Sequence, residues 1–130
     1  MKILVIEDHS TQLKLAYLVL RAAGHVVSGA SAAEQAFDSI KADRPQLILL
    51  DLGLPDMDGL ELVRRLRADP ETCDLQIVAV TSFPERYPRA AALAAGCNAY
   101  ILKPIDTRGI SGQLAAVLAA SDARAQAPAP

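Results

Sequence analysis

The sequence predicts an α/β domain in which a doubly wound, five-stranded parallel sheet is covered by five helices. Five short apolar runs lack the strict alternation of half-exposed strands, which is typical of strands buried on both faces. These runs are residues 3–6, 26–27, 47–50, 77–80 and 100–102. Helical patterns lie between them, so strand and helix alternate along the chain. Right-handed crossovers between parallel strands then favour a three-layer sandwich.

The helices are indicated by apolar side chains that recur at helical spacing. Residues 60–67 and 90–95 supply the third and fourth helices. The other three are predicted from stripes that would each form one buried helix face: Leu13, Ala16, Tyr17 and Leu20; Ala33, Ala36, Phe37 and Ile40; and Ile110, Leu114, Val117 and Leu118.

The composition limits the classes of function. The chain has 130 residues, of which 52% are hydrophobic, and therefore suits one compact domain. Its formal charge of −2 arises from 15 acidic and 13 basic residues without a basic run, so direct binding of nucleic acid is not expected. The run at residues 3–6 is too short for a signal peptide and no run could span a membrane, which favours a cytoplasmic protein. No CxxC or Cys/His cluster indicates zinc.

The last part of the chain has a different composition. Large apolar residues stop after Ala120, and the sequence ends in Ala-Pro alternation. We therefore expect a domain over residues 1–120, followed over residues 121–130 by a disordered or extended tail or by the start of a linker.

Polar side chains follow four of the five predicted strands. Open parallel sheets bind ligands outside the carboxyl ends of their strands, so we expect these residues to converge at one edge. Clustered carboxylates repel each other unless a cation or a lysine compensates them. Oxygen ligands with open positions favour Mg²⁺. The residues are Glu7 and Asp8 after the first strand, Asp51 after the third, Thr81 and Ser82 after the fourth, and Lys103 with Pro104 after the fifth.

A site with this composition favours phosphoryl chemistry. A carboxylate can act as a nucleophile and form an aspartyl phosphate, while a metal ion and a lysine neutralise the phosphoryl oxygens. Asp51 is the best-placed carboxylate, because its strand is expected to lie between the first and fourth strands. The sequence thus predicts a phosphoryl group on Asp51, with Mg²⁺ and Lys103 beside it.

The residues at these strand ends resemble the signature of response-regulator receiver domains, in the order and spacing of that family. The likeness covers roughly residues 1–120 and includes the acidic pair, the segment DLGLPDMDG that begins at Asp51, Thr81, and Lys103 with its following proline. The resemblance implies a flavodoxin-like fold with strand order 2-1-3-4-5. It also implies a phosphorelay switch of two-component signalling rather than an enzyme, with no catalysis beyond its own phosphorylation and dephosphorylation.

The resemblance assigns Asp51 as the phosphoacceptor. Asp8 and Asp51 would bind Mg²⁺ directly, Glu7 would bind it largely through water, and the backbone carbonyl of Gly53 would complete the protein ligands. Lys103 would contact Asp51 at rest and the phosphoryl group once it arrives.

The resemblance also implies a conformational switch. Thr81 would donate its hydroxyl to a phosphoryl oxygen, with the amide of Ser82 beside it, and its movement would open space for Tyr100. The face formed by the fourth helix, the fifth strand and the fifth helix would then change its binding of other proteins. One charge-assisted hydrogen bond, worth about 1.5–3 kcal/mol, is enough to shift a near-balanced equilibrium.

The partners implied are a phosphodonor and a downstream protein target. The phosphodonor would be a sensor histidine kinase or a histidine phosphotransfer protein, docked near residues 12–15 of the first helix. The run at residues 96–105 is similar to single-domain response regulators of the cell-cycle kind, although a receiver that precedes an output domain is also compatible. The sequence does not decide between a monomer and a phosphorylation-induced dimer.

Two other functions share parts of this pattern. A pseudo-receiver would bind partners without phosphorylation, but the intact set of acidic pair, Asp51, Thr81 and Lys103 argues against it. An aspartyl-phosphate phosphohydrolase of the haloacid-dehalogenase kind needs a second acid two residues after its nucleophile, where this chain has Gly53. Such hydrolases also usually carry a cap domain.

The segment before the fourth helix contains two prolines. Proline is tolerated only in a first helical turn, so Pro84 and Pro88 move the predicted start of this helix to about Arg89. Arg86, Tyr87 and Arg89 would then form either a partner-binding patch or a solvated helix start.

Overall fold

A computed structural model describes the backbone of residues 1–126 and the side chains of residues 1–120. Within these residues the five strands are parallel and ordered β2-β1-β3-β4-β5. The predicted doubly wound α/β class and the strand order 2-1-3-4-5 are therefore confirmed. Strands and helices alternate as β1 Lys2–Ile6, α1 Ser10–Ala22, β2 Val26–Ala30, α2 Ala33–Ala42, β3 Leu47–Asp51, α3 Gly59–Ala68, β4 Gln76–Thr81, α4 Arg89–Ala95, β5 Ala99–Leu102 and α5 Ile110–Gln126.

The central strands are more deeply buried than the edge strands. All five residues of β3 are buried, as are the last four of β1 and the last five of β4. By contrast, Val26 in β2 is 63% exposed and Leu102 in β5 is 51% exposed. The prediction that every apolar run is buried on both faces is therefore wrong for β2 and β5, since an edge strand has a neighbouring strand on one side only.

The core has one layer on each face of the sheet, because successive residues of a strand point in opposite directions. In β3, Ile48 and Leu50 belong to the layer covered by α2, α3 and α4. Leu47 and Leu49 belong to the layer covered by α1 and α5. Both faces of the central strands are thus packed, which fixes the positions of their carboxyl ends.

The fourth and fifth helices differ in how they match the sequence predictions. Helix α4 begins at Arg89, as predicted, and ends before Gly96, whose φ of 122° lies in the region that favours glycine. Helix α5 continues to Gln126, into the segment predicted as a tail, because alanine, arginine and glutamine favour helix. Residues 127–130 lie outside the described residues, and the tail stays a prediction there.

The described helices do not include a membrane-spanning one. Within residues 1–126, no helix combines the length and the apolar character that crossing a bilayer requires. Even α5 has 17 residues, fewer than the roughly 20 apolar residues of a typical transmembrane helix.

The loop between β3 and α3 folds back on its own start. The N–H of Gly59 donates to the carbonyl of Leu52 over 3.0 Å. A Cβ atom on Gly59 would lie 2.5 Å from the Cα atom of Leu52. Only glycine fits this close approach of two backbone segments.

Two aspartates of the same loop cap helices. Asp58 caps α3 by accepting a hydrogen bond from the N–H of Leu60 over 2.9 Å. The Asp56 carboxylate accepts from the N–H groups of Ala33 and Glu34 at the start of α2, over 3.0 and 3.2 Å. The loop that joins β3 to α3 is therefore also hydrogen-bonded to the start of α2.

Candidate functional site

The predicted site residues meet at the carboxyl edge of the sheet. Glu7 directly follows β1, Asp51 ends β3 and Thr81 ends β4. The register pairs Ile6 with Leu50, which places Glu7 level with Asp51. All three site residues are buried, and Asp51 is only 8% exposed. A buried acid of this kind needs charged or hydrogen-bonding partners.

Lys103 reaches the cluster from β5. Its Nζ atom lies 2.6 Å from Glu7 Oε1 and 3.4 Å from Asp51 Oδ2. Nζ also donates to Oε1 of Gln12 over 2.5 Å. The sequence analysis missed Gln12 as a partner of this lysine, because α1 and β5 come together only in the folded chain.

Two buried acid oxygens in this cluster lack a hydrogen-bond partner among the described residues. They are Glu7 Oε2 and Asp8 Oδ1. Buried polar atoms are normally satisfied, so these two point to a missing partner. Ligand atoms of Glu7, Asp8, His9 and Asp51 lie within 4.8 Å of one another, a spacing that one ion can bridge. The three carboxylates supply the oxygen ligands that Mg²⁺ prefers.

His9 is the member of this group that the sequence analysis did not single out. Its Nδ1 atom lies 3.3 Å from Asp8 Oδ1 and 3.7 Å from Glu7 Oε2, and its side chain is largely exposed. An imidazole nitrogen is a poorer ligand for Mg²⁺ than oxygen. When protonated, His9 would instead provide positive charge beside the acids. A histidine after two acids carries no pattern that predicts this contact.

Backbone N–H groups hold two of the predicted functional side chains. The N–H of Gly53 donates to Asp51 Oδ1 over 3.1 Å, which orients the carboxylate. The N–H of Phe83 donates to Thr81 Oγ1 over 3.0 Å. Ser82 lies between Thr81 and Phe83 in the sequence, and it is exposed. The metal-binding role of the Gly53 carbonyl stays a prediction.

The buried acids influence each other's protonation. Burial raises the pKa of Glu7 to about 7, the neighbouring Asp51 carboxylate acts in the same direction, and Lys103 opposes both. Burial would also raise the pKa of Asp51, but its contacts with Glu7, the N–H of Gly53 and Lys103 outweigh burial and lower that pKa. Without a metal, one proton is thus held mainly by Glu7 near neutral pH. A cation bound to both carboxylates would displace it.

Tyr87 and Tyr100 contact each other beside the site. Tyr87 is 3% exposed and belongs to the core layer of α2, α3 and α4. The Tyr100 hydroxyl donates to the Tyr87 carbonyl over 2.5 Å. The prediction that Tyr87 joins Arg86 and Arg89 in a surface patch or solvated helix start is therefore wrong. Its burial leaves no periodic signal, because prolines and charged residues surround it in the sequence.

The face formed by α4, β5 and α5 carries a concave surface next to Tyr100. Its lining is mostly apolar and includes two residues of opposite charge, Arg89 and Asp106. The residues that line it are Pro84, Pro88, Arg89, Tyr100, Ile101, Leu102, Pro104, Asp106 and Gln113.

Known proteins share this sequence pattern. A family model described as the response regulator receiver domain matches residues 3–115. The polar-differentiation response regulator DivK of Brucella anthropi is 33% identical over 103 residues, which cover 79% of this chain and 84% of that protein. A protein of Leptolyngbya boryana, named only as an uncharacterized 14.6 kDa protein in the sodA1 3′ region, is 35% identical over 106 residues, which cover 82% of this chain and 81% of that protein.

Solved structures share the fold. A putative response regulator from Chloroflexus aurantiacus has a TM-score of 0.85 at 31% identity, over 91% of this chain and 97% of that chain. A response regulator receiver domain protein from Methanospirillum hungatei, described as CheY-like, has a TM-score of 0.86 at 26% identity, over 95% of this chain and 97% of that chain. Both likenesses cover at least nine-tenths of this chain.

Proposed function

This chain belongs to the response-regulator receiver family, and we propose that it is a phosphorylation-dependent signalling switch with Asp51 as its phosphoacceptor. One observation supports the proposal most. The buried Asp51 carboxylate lies beside the Lys103 ammonium and within a group of acids that holds two oxygens without partners. A carboxylate nucleophile, a lysine and a set of metal-binding oxygens are the groups that aspartyl-phosphate formation uses.

The proposed reaction moves a phosphoryl group from a phosphohistidine to Asp51. An Asp51 oxygen would form the new P–O bond as the P–N bond of the donor breaks, and the imidazole would leave with the bonding electrons. The N–H of Gly53 keeps the carboxylate in one orientation. Lys103 would neutralise charge on the phosphoryl oxygens. Thr81 would donate its hydroxyl to one of these oxygens, with the Ser82 amide beside it.

Glu7, Asp8 and Asp51 would hold Mg²⁺, whose charge stabilises the phosphoryl oxygens during transfer. When all three carboxylates are ionised, their three negative charges exceed the single positive charge of Lys103 by two, which suits a divalent cation. Glu7 Oε2 and Asp8 Oδ1, which accept no hydrogen bond from the described residues, support this assignment. The carbonyl of Gly53 is proposed as a further ligand.

The proposed output surface is the face of α4, β5 and α5. Engagement of Thr81 by the phosphoryl group would change the packing of Tyr100, and a downstream protein would bind the altered face. This output does not involve direct binding of nucleic acid, and we place the protein in the cytoplasm.

The proposed phosphodonor, a sensor histidine kinase or a histidine phosphotransfer protein, would dock on α1. Leu15 and Leu18 are large apolar side chains exposed on this helix. Leu15 also lines a cavity of about 370 Å³ that reaches Asp51 and Lys103. An apolar surface beside the phosphoacceptor suits a protein that must bring its phosphohistidine to Asp51.

Incubation with excess acetyl phosphate and Mg²⁺, followed by intact-protein mass measurement, tests the proposal. The parent should gain one phosphoryl group only in the presence of Mg²⁺, and Asp51→Asn should gain none. Asp38→Asn changes an exposed acid on α2 and is the matched control, which should react like the parent.

Two results would contradict the proposal in different ways. An adduct that persists in Asp51→Asn would refute the assignment of the phosphoacceptor. A parent that never acquires an adduct would favour a module that binds its partners without phosphorylation.

A further inference from the structure

The β4–α4 loop joins Thr81 to Tyr100 by an unbroken series of hydrogen bonds. The N–H of Phe83 donates to Thr81 Oγ1 over 3.0 Å, and the Phe83 carbonyl accepts from the N–H of Tyr87 over 2.9 Å. The Tyr87 carbonyl in turn accepts from the Tyr100 hydroxyl over 2.5 Å. A residue of the phosphoryl site is thus connected to a residue of the output face.

The Tyr87 side chain anchors this loop. It is buried in the core, whereas Phe83, Glu85 and Arg86 of the same loop are exposed. The guanidinium of the exposed Arg86 lies over the Tyr87 ring, 5.1 Å from its centroid. Burial of the ring therefore determines where the Tyr87 carbonyl points, and so where the Tyr100 hydroxyl can bind.

The hydrogen bond at Thr81 sets the direction of its hydroxyl proton. A threonine hydroxyl can accept one hydrogen bond while it donates another. Because the N–H of Phe83 occupies an acceptor position, the Thr81 proton must point elsewhere and is free to donate to a phosphoryl oxygen. A looser loop would leave this hydroxyl less well aimed.

We propose that Tyr87 is a positioning residue of the switch, through which the packing of Tyr100 controls how firmly Thr81 is aimed at the phosphoryl group. The inference rests on the proposed function, since it requires a phosphoryl group on Asp51. Coupling between two sites is reciprocal. A phosphoryl group that engages Thr81 therefore strengthens the hydrogen bond between Tyr100 and Tyr87, and loss of that bond weakens phosphoryl binding by the same factor.

Binding of beryllofluoride in saturating Mg²⁺, as a mimic of the phosphoryl group, tests this inference. Tyr87→Leu removes the anchoring ring and Tyr100→Phe removes the hydroxyl. Each should weaken beryllofluoride binding about two- to tenfold, the range of one net hydrogen bond. The double variant should bind beryllofluoride as tightly as the single variant with the lower affinity, because both changes break the same series of bonds.

Two variants distinguish positioning from a general effect on the loop. Tyr87→Phe keeps the ring and should restore the parent affinity. Glu85→Gln changes an exposed residue of the same loop and should bind like the parent.

Tyrosine-ring NMR supplies a readout that a merely structural role would not change. The chain has three tyrosines and no tryptophan, so Tyr17 serves as an internal reference on α1. The Tyr100 ring signal should shift when beryllofluoride binds the parent, and this shift should shrink in Tyr87→Leu. If Tyr87→Leu does not fold, the backbone amide signal of Tyr87 provides the test instead. This signal should shift when beryllofluoride binds the parent, and it should no longer shift in Tyr100→Phe.

The two proposals fail in distinguishable ways. Unchanged or tighter beryllofluoride binding in the single variants, or additive losses in the double variant, would overturn the role of Tyr87 while the parent still accepts a phosphoryl group. A parent that neither binds beryllofluoride nor accepts a phosphoryl group would overturn the proposed function, and this inference with it.

Discussion

The central strands and the β5 edge contribute different kinds of residue to the site. Asp51 and Thr81 end β3 and β4, which are buried on both faces. Tyr100 belongs to β5, in which no residue is fully buried and which has one neighbouring strand. The proposed chemistry is thus fixed by the core, whereas the proposed response lies where displacement is less costly. Lys103 follows β5 but is held by its ion pair with Glu7 of the β1 end.

The greatest loss of stability is expected when a buried side chain of a central strand is truncated. Leu50 in β3 is fully buried, so Leu50→Ala should lower the free energy of unfolding by about 2–5 kcal/mol. Leu102→Ala in β5 changes a side chain that is 51% exposed and should alter it by less than about 0.5 kcal/mol. Urea unfolding of the full chain measures both. Equal losses would show that β5 is packed as tightly as β3.

A smaller effect is expected from the buried acid pair. The pKa of Glu7 is raised from 4.5 to about 7 in the folded chain, so protonated Glu7 favours the folded state. This contribution to the free energy of unfolding is fully present below pH 4.5 and is lost as the pH rises through 7. Glu7→Gln has no charge to bury. In metal-free buffer at about pH 8 it should be more stable than the parent, by about 1–3 kcal/mol. The difference should shrink as the pH falls.

Addition of Mg²⁺ and a control variant provide two further tests of this prediction. Mg²⁺ should stabilise the parent more than Glu7→Gln, because a ligand stabilises the folded state that binds it. Glu85→Gln, at an exposed position, should show neither the pH-dependent gain nor the change in Mg²⁺ response. A stability difference between parent and Glu7→Gln that does not vary with pH would contradict the raised pKa.

The smallest expected effect concerns the loop after β3. Asp56→Ala removes the cap at the start of α2 and should cost about 0.5–1 kcal/mol. The N–H of Ala33 lowers the pKa of Asp56, so the loss should be present above the usual aspartate pKa and fade as the pH falls. Thermal unfolding at several pH values measures it. An effect no larger than that of Asp38→Ala, at an exposed position on α2, would show that the cap adds nothing.

Sequence patterns predicted the features that depend on neighbouring residues. The five parallel strands followed from short apolar runs, and the start of α4 at Arg89 followed from the two prolines before it. The meeting of Glu7, Asp51 and Lys103 followed from the rule that parallel strands place their carboxyl ends at one edge. The apolar runs did not distinguish central from edge strands, because a run reads the same whether one or two strands pair with it.

Features that depend on tertiary distance were not predictable. Gln12 bonds Lys103 across 91 positions of sequence, and Asp56 caps α2 across 23 positions. Tyr87 was misread because its neighbours in sequence are prolines and charged residues, whereas its side chain packs in the core. The roles proposed for Asp51, Thr81 and the Mg²⁺ ligands rest on the family resemblance together with this geometry. The adduct experiment tests the role of Asp51 and the need for Mg²⁺.

The ring formed by residues 52–59 limits how this segment can be exchanged between receivers. Gly59 closes it on Leu52 and has no room for a side chain, so its last residue must stay glycine. The exposed tip at Pro55 is free of this restriction. A protein engineer can therefore rewrite the exposed tip to suit a new partner, provided that the contact between Leu52 and Gly59 is kept.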